Sequence, residues 1–490
     1  MKMATPFPRW PLYLICPAFH TACIVPGFLF SRHSRVPSAI ICRSMGGGSM
    51  TDVWSNWSGW VKAWPKELAA PSTEEEVAEV LKTAAAPVRV AGRGHSFTPL
   101  VETGGTVMTM WALRGVVDHD ERAQTARIKA GTTIRDLGPE LFERGLALVN
   151  QGDIDRQALA GAVGTGTHGT GGTLGSVSAA VEGFRLAIAN GDILTCNRNE
   201  NADVFDAGRV SFGSLGVMTE ITMKCRPVYA LEETGGRMPI EEALSRAPEL
   251  RDSERHFEFF WFPFADQALV KFLKETDKEP RPRRRRPDDE MAASDKTMMW
   301  ACEAARYLPF LRGPIQKYLT SASGSRYSGG AAEGEGKEKG KVRWSHDAFP
   351  SDRNVRFNEM EYAVPAGKGP DCIREVGEHM RKCGINFLFP LEFRYVAADD
   401  AWLSPFYNRD SVTISVHQYH KQSYRELFAG VEDIFRRYEG RPHWGKLHTL
   451  GAADFETLYP RWGDFQNVRQ RLDPAGKFLN AHLKRIFGVS

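Results

Sequence analysis

VRVAGRGHSFTPL, residues 88–100, runs a short β-branched strand into a turn bracketed by Gly92 and Gly94. Without a Cβ at either position, backbone N–H groups can approach a ligand closely. Arg93 stands between the two glycines, and His95 and Ser96 follow at the lip of the turn. A strand that empties into such a nest can cradle a phosphate or pyrophosphate, and a histidine beside it can touch whatever the phosphate carries. A glycine turn alone is only a turn, so the reading depends on what accompanies it.

A second glycine-rich stretch accompanies it. Residues 158–175, ALAGAVGTGTHGTGGTLG, hold seven glycines and almost no side chain larger than threonine apart from His168. Such a stretch cannot fill a core. It lies against something flat or anionic, offering amides and hydroxyls as donors. Neither stretch is a P-loop, because no Gly-Lys-Ser/Thr follows, and neither has the dinucleotide fingerprint with its trailing acid.

The chain's 490 residues exceed one ordinary core, so two domains are expected. A formal charge of +3 with 25% charged residues describes an ordinary soluble surface, and no nucleic-acid partner is expected. Three of the eight cysteines (Cys16, Cys23, Cys42) precede residue 51; the other five, Cys196, Cys225, Cys302, Cys372 and Cys383, fit neither a disulfide framework nor a zinc spacing. A reducing compartment and no metal site follow.

Residues 1–50 differ from the rest in having no Asp or Glu, five Lys or Arg, and a mostly apolar run over 10–30. Three readings stand: an organellar transit peptide for mitochondrion or plastid, a membrane-anchoring segment, or an extension upstream of a true start at Met50, which would leave a cytoplasmic protein. Pro11, Pro17, His20 and Pro26 disfavour a clean spanning helix, and Gly46-Gly47-Gly48-Ser49 separates the leader from the fold.

From 51 to about 228 short strands alternate with helices. Ser72-Thr73 followed by three glutamates caps a helix whose stripe is Val77, Val80 and Leu81, and residues 132–145 repeat the arrangement with Ile134, Leu137, Leu141 and Phe142 inward. Strand-like runs cover 106–110, 125–130, 183–189 and 217–223. Over 229–450, aromatic strand-like runs (256–264, 356–364, 386–394, 412–419) are spaced by helical segments at 371–383 and 424–438, which predicts one antiparallel sheet covered by helices. The class is α+β. Within the second part, 276–342 is expected to be a disordered loop holding an arginine run at 283–286 and a Gly/Glu/Lys tract at 329–341; flanking acids and missing aromatics argue against nucleic-acid binding.

The ordered set of motifs GRGHSF, GTGTHGTG (164–171), the entry segment WSNWSG (54–59), Glu392-Phe393-Arg394, His443-Trp444-Gly445-Lys446, and Asp473-Pro474 with Phe478-Leu479-Asn480 resembles the aldonolactone oxidoreductases. These are FAD enzymes of the vanillyl-alcohol-oxidase type, and the similarity runs from about Val53 to the C-terminus. It implies an FAD-binding domain at 51–228, a substrate or cap domain at 229–450, and a segment at 451–490 that returns to the FAD domain.

The resemblance also implies roles. His95 would bond covalently to the flavin 8α-methyl. Gly92, Arg93, Gly94 and Ser96, with Gly161, Thr165, Gly166, Thr167, His168 and Gly169 opposite, would cradle the pyrophosphate and ring system, and Asp153 and Val217 join the cofactor contacts. Glu392 and Arg394 alternate on a strand and so leave one face. Read alone they are an ion pair. The resemblance puts them before the flavin, the Glu accepting hydrogen bonds from sugar hydroxyls and the Arg balancing negative charge. Lys446 is expected as a second cation, His417 and His448 as proton acceptors, and Trp444 and Tyr419 as pocket walls. His168 as a base is the weaker alternative to a flavin contact. In LVNQGDI (148–154), Gly152 occupies the position that leaves the flavin open to oxygen, so O2 is the expected acceptor.

The activity implied is oxidation of an L-gulono-, L-galactono- or D-arabinono-1,4-lactone to ascorbate or its five-carbon analogue, with H2O2 released. An alditol oxidase and a dehydrogenase passing electrons to a cytochrome or quinone are the rivals within the fold, and a non-catalytic flavin-binding scaffold is the rival outside it. Membrane association through the leader and the oligomeric state stay open.

Overall fold

The computed structural model describes residues 42–46, 49–283, 291–323, 340–351 and 354–490, with side chains from 53 onward. The strand that carries the first glycine turn, Val88–Ala91, pairs in parallel with Thr106–Thr109, which pairs in turn with Glu67–Ala69. The helix Glu74–Thr83 leads into it. Thr73 accepts from the Glu76 N–H and Ser72 N–H donates to the Glu76 carboxylate at 2.7 Å, so two otherwise orphaned donors are satisfied at the predicted start. Val77, Ala78 and Leu81 are buried, while Val80 is only partly so.

Beside this small sheet stands an antiparallel one in the order Ile193–Asn197, Val181–Ala187, Val217–Pro227, Thr125–Lys129, Val116–Asp120. The helix Ile134–Phe142, capped by Thr133, buries Ile134, Leu137 and Leu141 against it, and Phe142 packs half-buried on Trp344 and His346. Arg89 ties the parts together. Its buried guanidinium donates to the carbonyls of Leu100 (2.5 Å), Phe212 (2.8 Å), Gly213 (2.9 Å) and Phe478 (2.6 Å). Residues 473–480 thus lie on the first sheet, where the Lys477 carbonyl also accepts from Val88 N–H at 2.8 Å and Asn480 donates to the Pro99 and Glu102 carbonyls at 2.8 Å.

The other large element is an eight-stranded sheet, antiparallel throughout, in the order Lys341–Trp344, Ala230–Pro239, Gln267–Glu275, His256–Trp261, Leu391–Val396, Ser411–Tyr419, Phe357–Pro365, Arg441–Pro442. One face buries Phe257, Phe259, Phe393, Tyr395, Ile414, Val416, Met360 and Tyr362 under the helices Ile240–Ser253, Gly369–Lys382 and Arg425–Arg437. Strand alternation sends their neighbours Glu258, Glu392, Arg394, Ser415, His417, Glu359 and Glu361 to the opposite face.

Two expectations need correction. The strand drawn over 386–394 begins only at Leu391, because Pro390 has no N–H for the ladder; Phe387 and Leu388 before it are buried without being strand. The segment 276–342, read as a disordered loop, contains the helices Ala293–Tyr307 and Arg312–Ala322. Cys302, Ala305, Gln316 and Thr320 are their buried side, and Gln316 donates to the Phe387 carbonyl (3.2 Å) while accepting from Phe264 N–H (3.1 Å). The biased tracts on either side had masked an amphipathic stretch. Residues 284–286 of the arginine run and 329–339 of the glycine tract lie outside the described residues, as do 1–41 and 47–48 of the leader; its strand Cys42–Gly46 pairs with Ser49–Ser55. Among the described residues no helix is long and apolar enough to cross a membrane.

Candidate active site

The GRGHSF turn is clamped from two sides. Trp57 N–H donates to the Gly94 carbonyl (2.8 Å) and the Asn56 amide to the Ser96 carbonyl (3.0 Å). From the other side, Phe97 N–H donates to the Gly445 carbonyl (2.7 Å) and the Thr98 hydroxyl to the Trp444 carbonyl (3.0 Å). Gly94 has φ +71°, and a Cβ there would stand 3.3 Å from Asn56 Cα, so both backbone conformation and space ask for glycine. Three of the quoted motifs therefore meet at one place.

Two cavities adjoin at this turn. The narrow one, about 130 Å³, is lined by Gly92, Arg93, Gly94, Gly161, Gly213, Gly216 and Val217 among others. The wide one, about 420 Å³, reaches to the polar face of the eight-stranded sheet. His95, Ser96, Gln157 and Thr165 line both. His95 is half-buried, but its Nε2 is shielded from solvent and has no hydrogen-bond partner among the described residues. Burial, with the nearby positive charges of Arg156, Lys446 and Arg93, pushes its pKa down to about 4, so the ring is neutral at pH 7.

The wall of the wide cavity is set by strand register. Glu258 lies opposite Arg394, Glu392 opposite Ser415, Ser415 opposite Glu361, and Glu359 opposite His417. Arg394 Nη2 reaches Asp153 at 2.6 Å and Glu392 at 2.8 Å, and its Nε reaches Glu258 at 2.8 Å. Burial alone would lower the Arg394 pKa, but Asp153, Glu392, Glu258 and Glu361 outweigh it and hold the guanidinium well above its ordinary value. Lys271 adds a second cation on Glu258 at 2.9 Å. Lys446, from the HWGK turn, pairs with Glu359. His168 pairs with Glu361 at 2.9 Å.

Gly152, Asp153, Thr165, Thr167, His168, Glu392, Arg394 and Lys446, drawn from separate stretches of sequence, all line this cavity. Gly166 and Gly169 do not line either cavity; a Cβ on Gly169 would stand 2.4 Å from the Gln151 carbonyl, so that glycine allows the 150–152 and 167–169 segments to touch. His417 is not on the wall. It lies behind it, 3.7 Å from Glu359 and 3.9 Å from Glu392, wedged against Phe357 and Phe389. His448 is buried among Trp444, Phe455 and His482, away from the cavities, and Trp444 and Tyr419 shape neither one. Tyr419 instead donates to Glu303 at 2.7 Å. Residues the sequence reading passed over include Glu359, Glu361, Glu258 and Arg156, and His443 was quoted in its motif without a role. The alternation in NEMEY, 358–362, carried the first two: acids two apart in an otherwise apolar run share a face.

A narrow glycine-lined cleft adjoining a wide polar chamber, with an unpartnered imidazole nitrogen where they share residues, has a shape that would suit an elongated dinucleotide such as FAD. The fold and site define an FAD-dependent oxidoreductase of the vanillyl-alcohol-oxidase type. The FAD-binding-domain family matches residues 65–197, and the D-arabinono-1,4-lactone oxidase family matches 221–486. The chain belongs to this aldonolactone oxidoreductase family. An L-gulono-1,4-lactone dehydrogenase of Mycobacterium tuberculosis is 35% identical over 90% of this chain and 100% of its own length. An L-gulonolactone oxidase of Bos taurus is 31% identical over 89% of this chain and 98% of that protein, and an alditol oxidase of Streptomyces is 28% identical over 89% and 99%. A cholesterol oxidase from B. sterolicum shares the fold, with a TM-score of 0.72 at 18% identity over 89% of this chain and 96% of that one.

Proposed function

We propose that the chain oxidises an L-gulono-, L-galactono- or D-arabinono-1,4-lactone to ascorbate or its five-carbon analogue, with dioxygen as acceptor and hydrogen peroxide released. The observation that carries this reading is the in-register row Glu359, Glu361, Glu392 and Arg394, facing a cavity that shares His95, Ser96, Gln157 and Thr165 with the glycine-lined cleft. Bound FAD supplies the hydride acceptor and takes up the negative charge that comes with it. The chain's residues do the rest. A neutral polyhydroxylated ring offers hydroxyl donors, and carboxylates as deeply buried as Glu392 (5% exposed) and Glu359 (7%) are strong acceptors for them. Glu392 takes the hydroxyl proton of the carbon being oxidised, with His417 behind it as a reserve acceptor, and Arg394 steadies Glu392 in position. Lys446 supplies positive charge where the cofactor gains negative charge. Residues 51–228 with 451–490 hold the cofactor and 229–450 the lactone.

Steady-state rates with sugar lactones and with alditols, each measured with dioxygen and with a dye, test the reading. Turnover of alditols alone would make the chain an alditol oxidase. Turnover of lactones with the dye alone would make it a dehydrogenase, the acceptor class named for the Mycobacterium tuberculosis relative.

The neutral ring of His95, unpartnered at Nε2, suits covalent attachment through a ring nitrogen to the flavin 8α-methyl. Acid-precipitated protein should therefore keep its flavin, and His95→Ala should release it. Complete release from the unmodified chain would show the link to be non-covalent.

Dioxygen access is tied to Gly152, which lines the wide cavity. A Cβ there would stand 2.9 Å from the His168 carbonyl, a backbone atom that cannot swing aside. Gly152→Ala should lower the melting temperature modestly and slow reoxidation by dioxygen more than anaerobic reduction by the lactone. Equal losses in both halves would assign the segment to substrate binding.

A further inference from the structure

The helices Ala293–Tyr307 and Arg312–Ala322 are apolar on two sides. Cys302 and Ala305 of the first, with Ile315 and Leu319 of the second, pack on one cluster that includes Phe97, Phe357 and Phe389. Because both helices lean on the same cluster, their opposite sides face outward together. Polar residues are expected on such an outer side. It carries instead Trp300 (70% exposed), Tyr307 (71%) and Tyr318 (65%), with Leu308 and Phe310 (75%) at the turn between the helices. Among the described residues nine large apolar side chains are exposed, and five of them fall between 300 and 318, so this is a patch rather than scatter.

The charges on the hairpin select what covers it. Its two acids, both half-buried, are engaged: Asp295 accepts from the Asn354 amide at 3.1 Å, and Glu303 accepts from Tyr419 at 2.7 Å and pairs with Lys421 and, at 3.4 Å, with Arg306. Lys296 and Lys317 are exposed and make no ion pair with a described residue, while no carboxylate is exposed between 291 and 323. Two such faces brought together would set lysine against lysine. An anionic surface that also accepts apolar rings answers both features, and Trp and Tyr rings beside lysines suit the headgroup layer of a bilayer. No helix among the described residues is long and apolar enough to cross a membrane, so the contact is a surface one.

We propose that the outer face of this helical hairpin docks on an anionic lipid bilayer, its aromatic rings entering the headgroup layer and Lys296 and Lys317 meeting the lipid anions. The contact uses residues 293–322 and does not involve the leader. It starts at the chamber: Met291, just before the first helix, and Asn354, held by Asp295, both line the wide cavity.

The test is sedimentation of the full-length holoenzyme with phosphatidylcholine vesicles, made with and without phosphatidylserine. Binding should be stronger with phosphatidylserine and should weaken as salt is added. Trp300→Ser combined with Phe310→Ser should weaken it at least about 10-fold, since binding scales with the apolar area that enters the interface. Lys296→Gln combined with Lys317→Gln should cost about fivefold per lysine on the serine-containing vesicles and little on phosphatidylcholine alone. FAD content and melting temperature should stay at wild-type values in both variants, because all four side chains are exposed; a packing role would lower the melting temperature. Phe310→Ser alone gives the same reading on a smaller scale if the aromatic pair unfolds the protein. Wild-type protein that stays in solution with the anionic vesicles would overturn the proposal by itself. Binding that survives the aromatic substitutions would also overturn it and would place the membrane contact elsewhere, the leader included. A lipid-free dimer that those substitutions dissociate would give the face to a second copy of the chain instead.

Discussion

Flavin reduction by the lactone is expected to slow by at least about 100-fold in Glu392→Gln and in Lys446→Met, the scale for losing one positioned proton acceptor or one preorganised charge. Both substitutions keep volume and remove charge. In Glu392→Gln the new amide oxygen can still accept from Arg394, which holds the Glu392 carboxylate at 2.8 Å, so the sheet has no reason to rearrange. Lys446→Met leaves Glu359 beside His417 at 3.7 Å, and where the Lys446 ammonium lies over the Phe97 ring at 5.1 Å a thioether can still meet the ring face. Stopped-flow reduction, FAD content and melting temperature measured together separate the possibilities. Folded, FAD-loaded variants with slow reduction bear out the roles. The Lys446 variant should also bind sulfite more weakly, because that anion needs the same positive charge. Normal reduction and normal sulfite binding would remove Lys446 from the chemistry, and unfolding of Glu392→Gln would make the Glu392–Arg394 contact a structural ion pair.

Arg394→Met is expected to behave differently and to cost roughly 3–5 kcal/mol of stability, the range for breaking a buried ion pair on one side. Arg394 is the shared partner of Asp153, Glu258 and Glu392, which approach it from three separate segments. Glu258 retains Lys271 at 2.9 Å, but the charge that lies between Asp153 and Glu392 is gone. Chemical denaturation should show the midpoint falling well below that of Glu392→Gln. A midpoint equal to wild type would mean that the cluster's carboxylates rearrange to find other partners, and that Arg394 is not the centre of the wall.

Local signals carried much of this architecture. Thr73 and Thr133 cap their helices because a hydroxyl followed by acids three residues on is a rule of the first helical turn, and both helices start within a residue or two of where the sequence placed them. The two glycine stretches and the Glu392-Phe393-Arg394 alternation were legible for the same reason: each is a pattern a few residues long. What escaped was long-range. His168 meets Glu361 193 residues away, and Ser415 meets it across a strand pairing 54 residues apart. No spacing within either segment announces such a partner, and only the register of the sheet decides it. His417 is another such case: it lies opposite Glu359 in the sheet, yet Phe357 and Phe389, from two other segments, enclose it away from the cavity wall. The helices at 293–322 were hidden by composition, since the Arg- and Gly-rich tracts around them suggested loop while Cys302 and Ala305 carried the buried stripe. Pro390 shortened a strand that aromatic content had overextended.

The central claim is that the chamber beside His95 presents a sugar 1,4-lactone to bound FAD. Its most direct test is anaerobic mixing of the purified flavoprotein with L-gulono-, L-galactono- and D-arabinono-1,4-lactone, following the absorbance of the oxidised flavin in a single turnover. At least one lactone should bleach the flavin fully, with a rate that saturates with lactone concentration and collapses in Glu392→Gln. A flavin that stays oxidised with all three lactones, in protein that a chemical reductant bleaches normally, would contradict the account.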